Sequence, residues 1–73
     1  MNFRSEKILI QFGKHLKKLR QEKGITQEDL AYNSGISLSQ IARIETGKIN
    51  PTLCTLLEIA KNLKINKQDL FNF

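Results

Sequence analysis

Apolar residues recur at helical spacing along most of the chain, and glycine or proline separates one apolar stretch from the next. Phe12, Leu16 and Leu19 follow each other at intervals of three or four residues, which places them on one face of a helix. Gly24 suits the left-handed conformation that commonly follows a helix end. The pattern therefore predicts a first helix from about Glu6 to Lys23.

Capping residues mark the next two helices, which are both short. Thr26 offers an N-cap for a second helix that runs to about Ser34, where Gly35 ends it. Ser37 offers the next N-cap, and Gln40 lies three residues later, at the spacing of a capping box. The third helix is then expected to end near Thr46, before Gly47.

A fourth and a fifth helix complete the prediction. Thr52, after Pro51, starts a helix with one broad apolar face, and Asn66 caps a short helix that ends around Phe71. No segment has the alternation of a strand, so the expected fold class is all-α, a compact five-helix bundle. The predicted core consists of Phe12, Leu16, Leu19, Ile25, Leu30, Ile36, Ile41, Ile44, Leu53, Leu56, Leu57, Ala60 and Leu70, with Leu63 on the same face of helix four.

Length and composition limit the chemistry that the chain can carry. A chain of 73 residues is expected to form one domain, residues 1–73, which buries only about 60% of its unfolded surface. No apolar run approaches the roughly 20 residues of a membrane span, and the N-terminus lacks a signal-peptide pattern. One cysteine, Cys54, and one histidine, His15, give no basis for a disulfide, a metal site or a catalytic group. We therefore expect a cytoplasmic protein that is not an enzyme and needs no cofactor.

Positive charge is concentrated in one segment. The formal net charge is +5, and the stretch "KHLKKLRQEK", residues 14–23, contains five lysines and arginines against one glutamate. Such an excess is consistent with an anionic partner such as nucleic acid, and equally with a solvated helix face that aids solubility.

The connection between helices two and three indicates a helix-turn-helix. Only Gly35 and Ile36 join them, and a short connection with glycine at the bend makes two helices cross steeply. The motif needs apolar contacts, a small residue where the helices cross and a glycine in the turn, and the residues at these positions are Leu30, Ala31, Gly35, Ile36, Ile41 and Ile44. The segment "LKKLRQEKGITQEDLAYNSGISLSQIARIETGKINPTLCTLLEIAKNL", Leu16 to Leu63, followed by "DLF" at Asp69 to Phe71, closely resembles the Cro and phage-repressor type of helix-turn-helix domain, the Xre family. The resemblance implies a lambda-repressor-like domain whose third helix enters the major groove of DNA.

The third helix has two distinct faces when residues are placed 100° apart. Ile41 and Ile44 point to the core, whereas Ser39 and Arg43 fall nearly opposite them. A face with small side chains and one long cation lets the helix approach DNA while Arg43 reaches a base edge. Predicted base contacts are Arg43, Ser39, Leu38, Ser37 and Ala42, although Leu38 also suits a core position and Ser37 is first a cap.

The resemblance also implies contacts to phosphate and one internal ion pair. Gln27 at the start of helix two matches the phosphate-binding glutamine of the family, and an anion is favoured at a helix N-terminus. Lys48 and Asn50 match the loop that contacts the duplex backbone, although a plain turn would explain them too. Arg20 and Glu45 match a pair that bridges helices one and three and holds Arg20 beside the DNA backbone. The predicted phosphate contacts are thus Gln27, Arg20, Lys48, Asn50 and Gln40.

These features predict a sequence-specific transcriptional regulator that binds double-stranded DNA as a homodimer at an inverted repeat. Within that function, a stand-alone repressor and a restriction-modification controller protein both fit the sequence. The alternative is an antitoxin-type module that binds a toxin and regulates its own operon. Leu70, Phe71 and Phe73 are candidates for the dimer interface, although they would also suit the core of one chain.

Overall fold

The computed structural model describes residues 6–73, and the predicted domain of residues 1–73 therefore includes five residues outside the described range. Five helices follow one another along the chain: α1 Glu6–Glu22, α2 Gln27–Ser34, α3 Leu38–Glu45, α4 Leu53–Leu63 and α5 Lys67–Leu70. No strand occurs between residues 6 and 73. The predicted all-α class and the order of the five helices are confirmed.

The local signals at the helix ends act as expected. The Thr26 hydroxyl accepts a hydrogen bond from the Asp29 N–H at 3.0 Å, and the Asp29 carboxylate accepts one from the Thr26 N–H at 3.3 Å. This reciprocal capping box satisfies two backbone donors that the first turn of α2 leaves free. Gly24, after α1, has a φ of 69°, in the left-handed region that favours glycine.

All five helices contribute to the core: α3 packs against α1 and α2, α4 packs against α2 and α5, and α5 also contacts α1. The buried members of the core are Phe12, Leu16, Leu30, Ile41, Ile44, Ile59, Ala60, Leu63 and Leu70. Leu19, Ile25, Ile36 and Leu56 are partly buried and pack against this cluster. Most of the predicted core is therefore confirmed.

The inward face of α4 differs in part from the prediction. Leu53 and Leu57 were assigned to the core, but they are 65% and 40% exposed. Ala60 and Leu63 are buried as predicted, and Ile59, which the prediction left out, is fully buried as well. The reason is that the apolar face of α4 is broad, with Ile59 at one edge and Leu57 at the other, and periodicity alone does not choose which edge turns inward.

Candidate nucleic-acid interface

A three-residue turn joins α2 to α3 and sets the direction in which α3 leaves. Gly35 has a φ of 74°, and its N–H donates to the Ala31 carbonyl at 3.0 Å. A Cβ at Gly35 would meet nothing within 4 Å, so the backbone angle and not the available space calls for glycine. Ile36 packs against the core, and the Ser37 hydroxyl accepts from the Gln40 N–H at 3.1 Å. Ser37 is thus the N-cap of α3, as predicted.

The two faces of α3 are separated as the sequence predicts. Ile41 and Ile44 are buried, whereas Ser39 and Arg43 are exposed. Among the described residues, neither Ser39 nor Arg43 has a side-chain hydrogen bond or an ion pair within the chain. Arg43 therefore has all five N–H donors available for an external acceptor.

The remaining predicted base contacts flank this exposed pair. Leu38, the first residue of α3, is 44% exposed and therefore presents an apolar surface beside Ser39. Ala42 is half-buried, and its carbonyl accepts from the Thr46 hydroxyl at 2.9 Å. The small side chain of Ala42 allows close approach to the helix backbone on its side of the pair.

Polar residues surround α3 at both ends. Lys48 and Asn50 lie exposed in the loop after α3, and the Lys48 N–H donates to the Arg43 carbonyl at 2.9 Å. Gln40 is half-buried near the start of the helix. Lys14, Lys17, Lys18 and Lys23 are all exposed on or just after α1. Cations on more than one element therefore contribute to the positive surface of the domain.

The predicted ion pair between α1 and α3 is confirmed. The guanidinium of Arg20 donates to both carboxylate oxygens of Glu45, from Nε at 2.7 Å and from Nη2 at 2.9 Å. The two side chains are 9% and 2% exposed. A third bond runs from Nη1 of Arg20 to the Ile25 carbonyl at 2.9 Å. This burial favours a bracing role for Arg20 over a direct contact with phosphate.

The ion pair also affects the pKa of Arg20. The hydrogen bonds that Arg20 donates to Glu45 raise the pKa of Arg20 above its ordinary value, and burial opposes this only in part. The guanidinium is therefore charged at every physiological pH. Because removal of one partner would leave a buried charge unpaired, the pair is costly to break.

Gln27 was expected to face phosphate, and the structure gives it an internal partner. Its Nε2 donates to Oε1 of Glu45 at 3.0 Å. The same oxygen accepts from Nη2 of Arg20, so side chains from α1, α2 and α3 meet at one carboxylate. No local pattern predicts this bond, because 18 residues separate Gln27 from Glu45.

Gly13 is a structural determinant that hydrophobic periodicity does not reveal. A Cβ at this position would lie 2.5 Å from the Ile44 carbonyl oxygen and closer still to that of Glu45. The missing side chain therefore lets the axis of α1 approach the end of α3. The signal in the sequence was a glycine inside a helix, between the buried residues Phe12 and Leu16.

The C-terminal segment has two kinds of residue. Leu70 is fully buried, so its assignment to a dimer interface was wrong and its assignment to the core was right. Phe71 and Phe73 are about half exposed, and their rings lie 6.3 and 5.6 Å from that of Phe12. They border a shallow apolar groove of roughly 170 Å³, together with Ile8, Leu9, Leu56 and Pro51.

Other residues offer little chemistry. His15 is half-buried, and its Nε2–H donates to the Asp69 carbonyl at 2.6 Å, which ties α1 to α5. Cys54 is exposed on α4. Within residues 6–73, no cluster of potential ligands is arranged to hold a metal ion, and no helix is long and apolar enough to cross a membrane.

Comparison with known proteins places this geometry in a well-populated family. The helix-turn-helix family HTH_3 matches residues 16–70. The control protein C.MunI of Mycoplasma sp. is 39% identical over 66 residues, which are 89% of each chain.

Two solved structures of controller proteins extend the similarity to three dimensions. The restriction-modification controller protein C.AhdI from Aeromonas hydrophila superimposes with a TM-score of 0.86 and 38% identity, over 89% of this chain and 98% of that one. The controller protein C.Esp1396I, as a tetramer in complex with its natural 35 base-pair operator, gives a TM-score of 0.80 and 37% identity, over 97% of this chain and 88% of that one.

Proposed function

The chain belongs to the Cro/C1-type helix-turn-helix family, and from that membership we propose that it is a sequence-specific, DNA-binding transcriptional regulator of the restriction-modification controller type. The observation that carries this proposal is the exposed face of α3, where Ser39 and Arg43 have no partner among the described residues. The opposite face of the same helix is fixed in the core through Ile41 and Ile44. A rigid helix with a free cationic face fits the major groove of B-DNA.

Recognition divides between base edges and phosphates. Arg43 is the principal base reader, because a bidentate arginine contact to guanine discriminates by about 1–3 kcal/mol. Ser39, Ser37 and Ala42 permit close approach, and Leu38 offers an apolar contact for a thymine methyl group. Lys48 and Asn50, with the outer N–H groups of Gln27 and Gln40, contact the flanking phosphates and set the register of α3.

The protein acts as a homodimer in this proposal. The exposed rings of Phe71 and Phe73 and the neighbouring apolar groove form the candidate interface. An isologous contact through this patch would relate two copies of α3 by a two-fold axis, which matches an inverted repeat with half-sites about one helical turn apart. Arg20 contributes indirectly, by bracing Glu45 at the end of α3.

The controller type is favoured over a stand-alone repressor by the extent of the similarity. Both C.MunI and C.AhdI are controller proteins, and the match covers 89% and 98% of their chains, whereas it covers 44% of the repressor RghR of Bacillus subtilis. A regulator of this kind acts on DNA in the cytoplasm and carries out no catalysis. An operator next to restriction and modification genes would distinguish it from a repressor of other genes.

Selection of bound sequences from random DNA tests the proposal. We expect an inverted repeat, bound with an affinity that falls steeply with salt. If each protomer contacts about four phosphates, the slope of log K against log salt is about −7 for the dimer. Recovery of no common sequence, or binding that does not weaken with added salt, would contradict the proposal.

A further inference from the structure

The hydrogen bond between Gln27 and Glu45 joins α2 to α3 at the end of the helix-turn-helix that lies opposite the turn. The turn at residues 35–37 joins the end of α2 to the start of α3. Gln27 is the first residue of α2 and Glu45 the last of α3, so their side chains connect the two helix ends that the backbone leaves apart. A link at these ends restrains the angle between α2 and α3 more effectively than one beside the turn.

The chemistry of the bond fixes the orientation of the Gln27 amide. A carboxylate only accepts hydrogen bonds, so the NH₂ group of Gln27 must face Glu45. One of its two N–H groups is therefore committed inward, to an oxygen that Arg20 already holds at 2.9 Å. A phosphate group also only accepts hydrogen bonds, so the Gln27 carbonyl oxygen cannot bind it. At most one side-chain N–H of Gln27 therefore remains for DNA.

The carboxylate itself is held in place. Glu45 is almost completely buried, and Arg20 binds both of its oxygens while also donating to the Ile25 carbonyl. Because α1 and α2 both donate hydrogen bonds to this fixed carboxylate, the position of the last turn of α3 depends on the positions of α1 and α2. Arg43 lies two residues before Glu45 on that same turn, so a shift of Glu45 also moves the backbone that carries the Arg43 side chain.

We propose that Gln27 is a positioning residue for operator recognition, which acts through Glu45 on the angle of α3 and only secondarily as a phosphate ligand. The inference rests on the proposed function, because it names a determinant of sequence preference in the same interface. Removal of the bond should leave α3 folded, since Ile41, Ile44 and the Arg20 pair still hold it. The helix would then sample a wider range of angles in the groove.

The test compares binding to the selected operator with binding to a scrambled duplex of equal length. Gln27→Met keeps the length of the side chain and removes the donor. We expect operator affinity to fall about fivefold to tenfold, the factor that one net hydrogen bond supports, while scrambled affinity falls by no more than about twofold because the phosphate contact of Gln27 is secondary. Gln27→Lys keeps a donor for Glu45 and should retain the ratio of the two affinities. Gln11→Met, on the exposed side of α1, is the matched control and should change neither affinity.

The ratio of affinities separates this role from the alternatives. A merely destabilised variant loses active protein and weakens both duplexes by the same factor, as does a variant that has lost only a phosphate contact. An unchanged ratio in Gln27→Met would therefore overturn the inference while leaving the proposed function intact. Failure of the parent protein to prefer any sequence would instead overturn the proposed function.

Discussion

The substitution Gly13→Ala has two opposing effects on the free energy of unfolding, a gain in helix propensity and a steric clash where α1 contacts α3. Gly13 lies in the interior of a 17-residue helix, where alanine is the better residue by about 1 kcal/mol on helix propensity alone. An added Cβ, however, would lie 2.5 Å or less from the carbonyl oxygens of Ile44 and Glu45. Both obstacles are backbone atoms, so rotation of a side chain cannot relieve the clash.

The cost of the clash should exceed the gain in propensity. Restoring ordinary contact requires α1 to withdraw from α3 by roughly 1 Å. Overpacking of this kind typically costs about 1–3 kcal/mol, and a backbone obstacle places the substitution in the upper half of that range. Subtracting the propensity gain leaves a net loss of about 1–2 kcal/mol. For a domain of this size, such a loss lowers the unfolding temperature by about 4–16 °C.

Urea and thermal unfolding at constant protein concentration measure this loss. The pair Gln11→Gly and Gln11→Ala supplies the control, because their difference reports the propensity gain at an exposed site of the same helix. Gly13→Ala should shift the urea midpoint downward with an unchanged slope. A variant that unfolds at a higher urea concentration, by the margin of the Gln11 pair, would refute the argument that the two helices touch at Gly13.

Four further substitutions test the remaining parts of the interface. Arg43→Ala should relax preference at one base position of the operator, by about 1–3 kcal/mol, in a repeat of the random-sequence selection; an even loss at all positions would contradict base reading. Lys48→Ala should weaken operator and scrambled DNA alike and reduce the salt slope by about 0.9 per protomer, and an unchanged slope would remove Lys48 from the phosphate contacts. Glu45→Ala should destabilise the fold by about 3–5 kcal/mol, seen as lost helical circular dichroism at lower urea, because Arg20 is left buried and unpaired. Phe73→Asp should convert dimer to monomer in sedimentation, and an unchanged dimer would exclude Phe73 from the interface.

The sequence was sufficient wherever a local signal and the tertiary contacts agreed. Thr26 and Ser37 are of the residue types preferred at N-caps, and both proved to cap helices. The phase of α3 was also unambiguous, because its apolar residues Ile41 and Ile44 lie close to one direction and its polar residues to the opposite one. The family resemblance added the pair of Arg20 and Glu45, which periodicity alone does not give.

The sequence was insufficient where the outcome depended on packing between distant segments. In α4, Leu53 and Leu57 lie at one edge of the apolar face and Ile59 at the other, and only the neighbouring helices decide which edge turns inward. The close approach at Gly13 depends on where α3 ends, more than thirty residues later. Gln27 has a general reason to bind phosphate at a helix N-terminus, and its bond to Glu45 emerges only when α2 and α3 are placed together.

These long-range contacts matter for recognition because α3 cannot orient itself. A helix of eight residues is about 12 Å long and is not stable in isolation, so its direction comes entirely from its surroundings. The turn after Gly35 holds the N-terminal end, whereas Gly13 and the side chains on Glu45 hold the C-terminal end. A substitution that loosens only the C-terminal end should therefore broaden base preference before it unfolds the protein. Loss of Ile41 from the middle of α3 should instead abolish folding and recognition together.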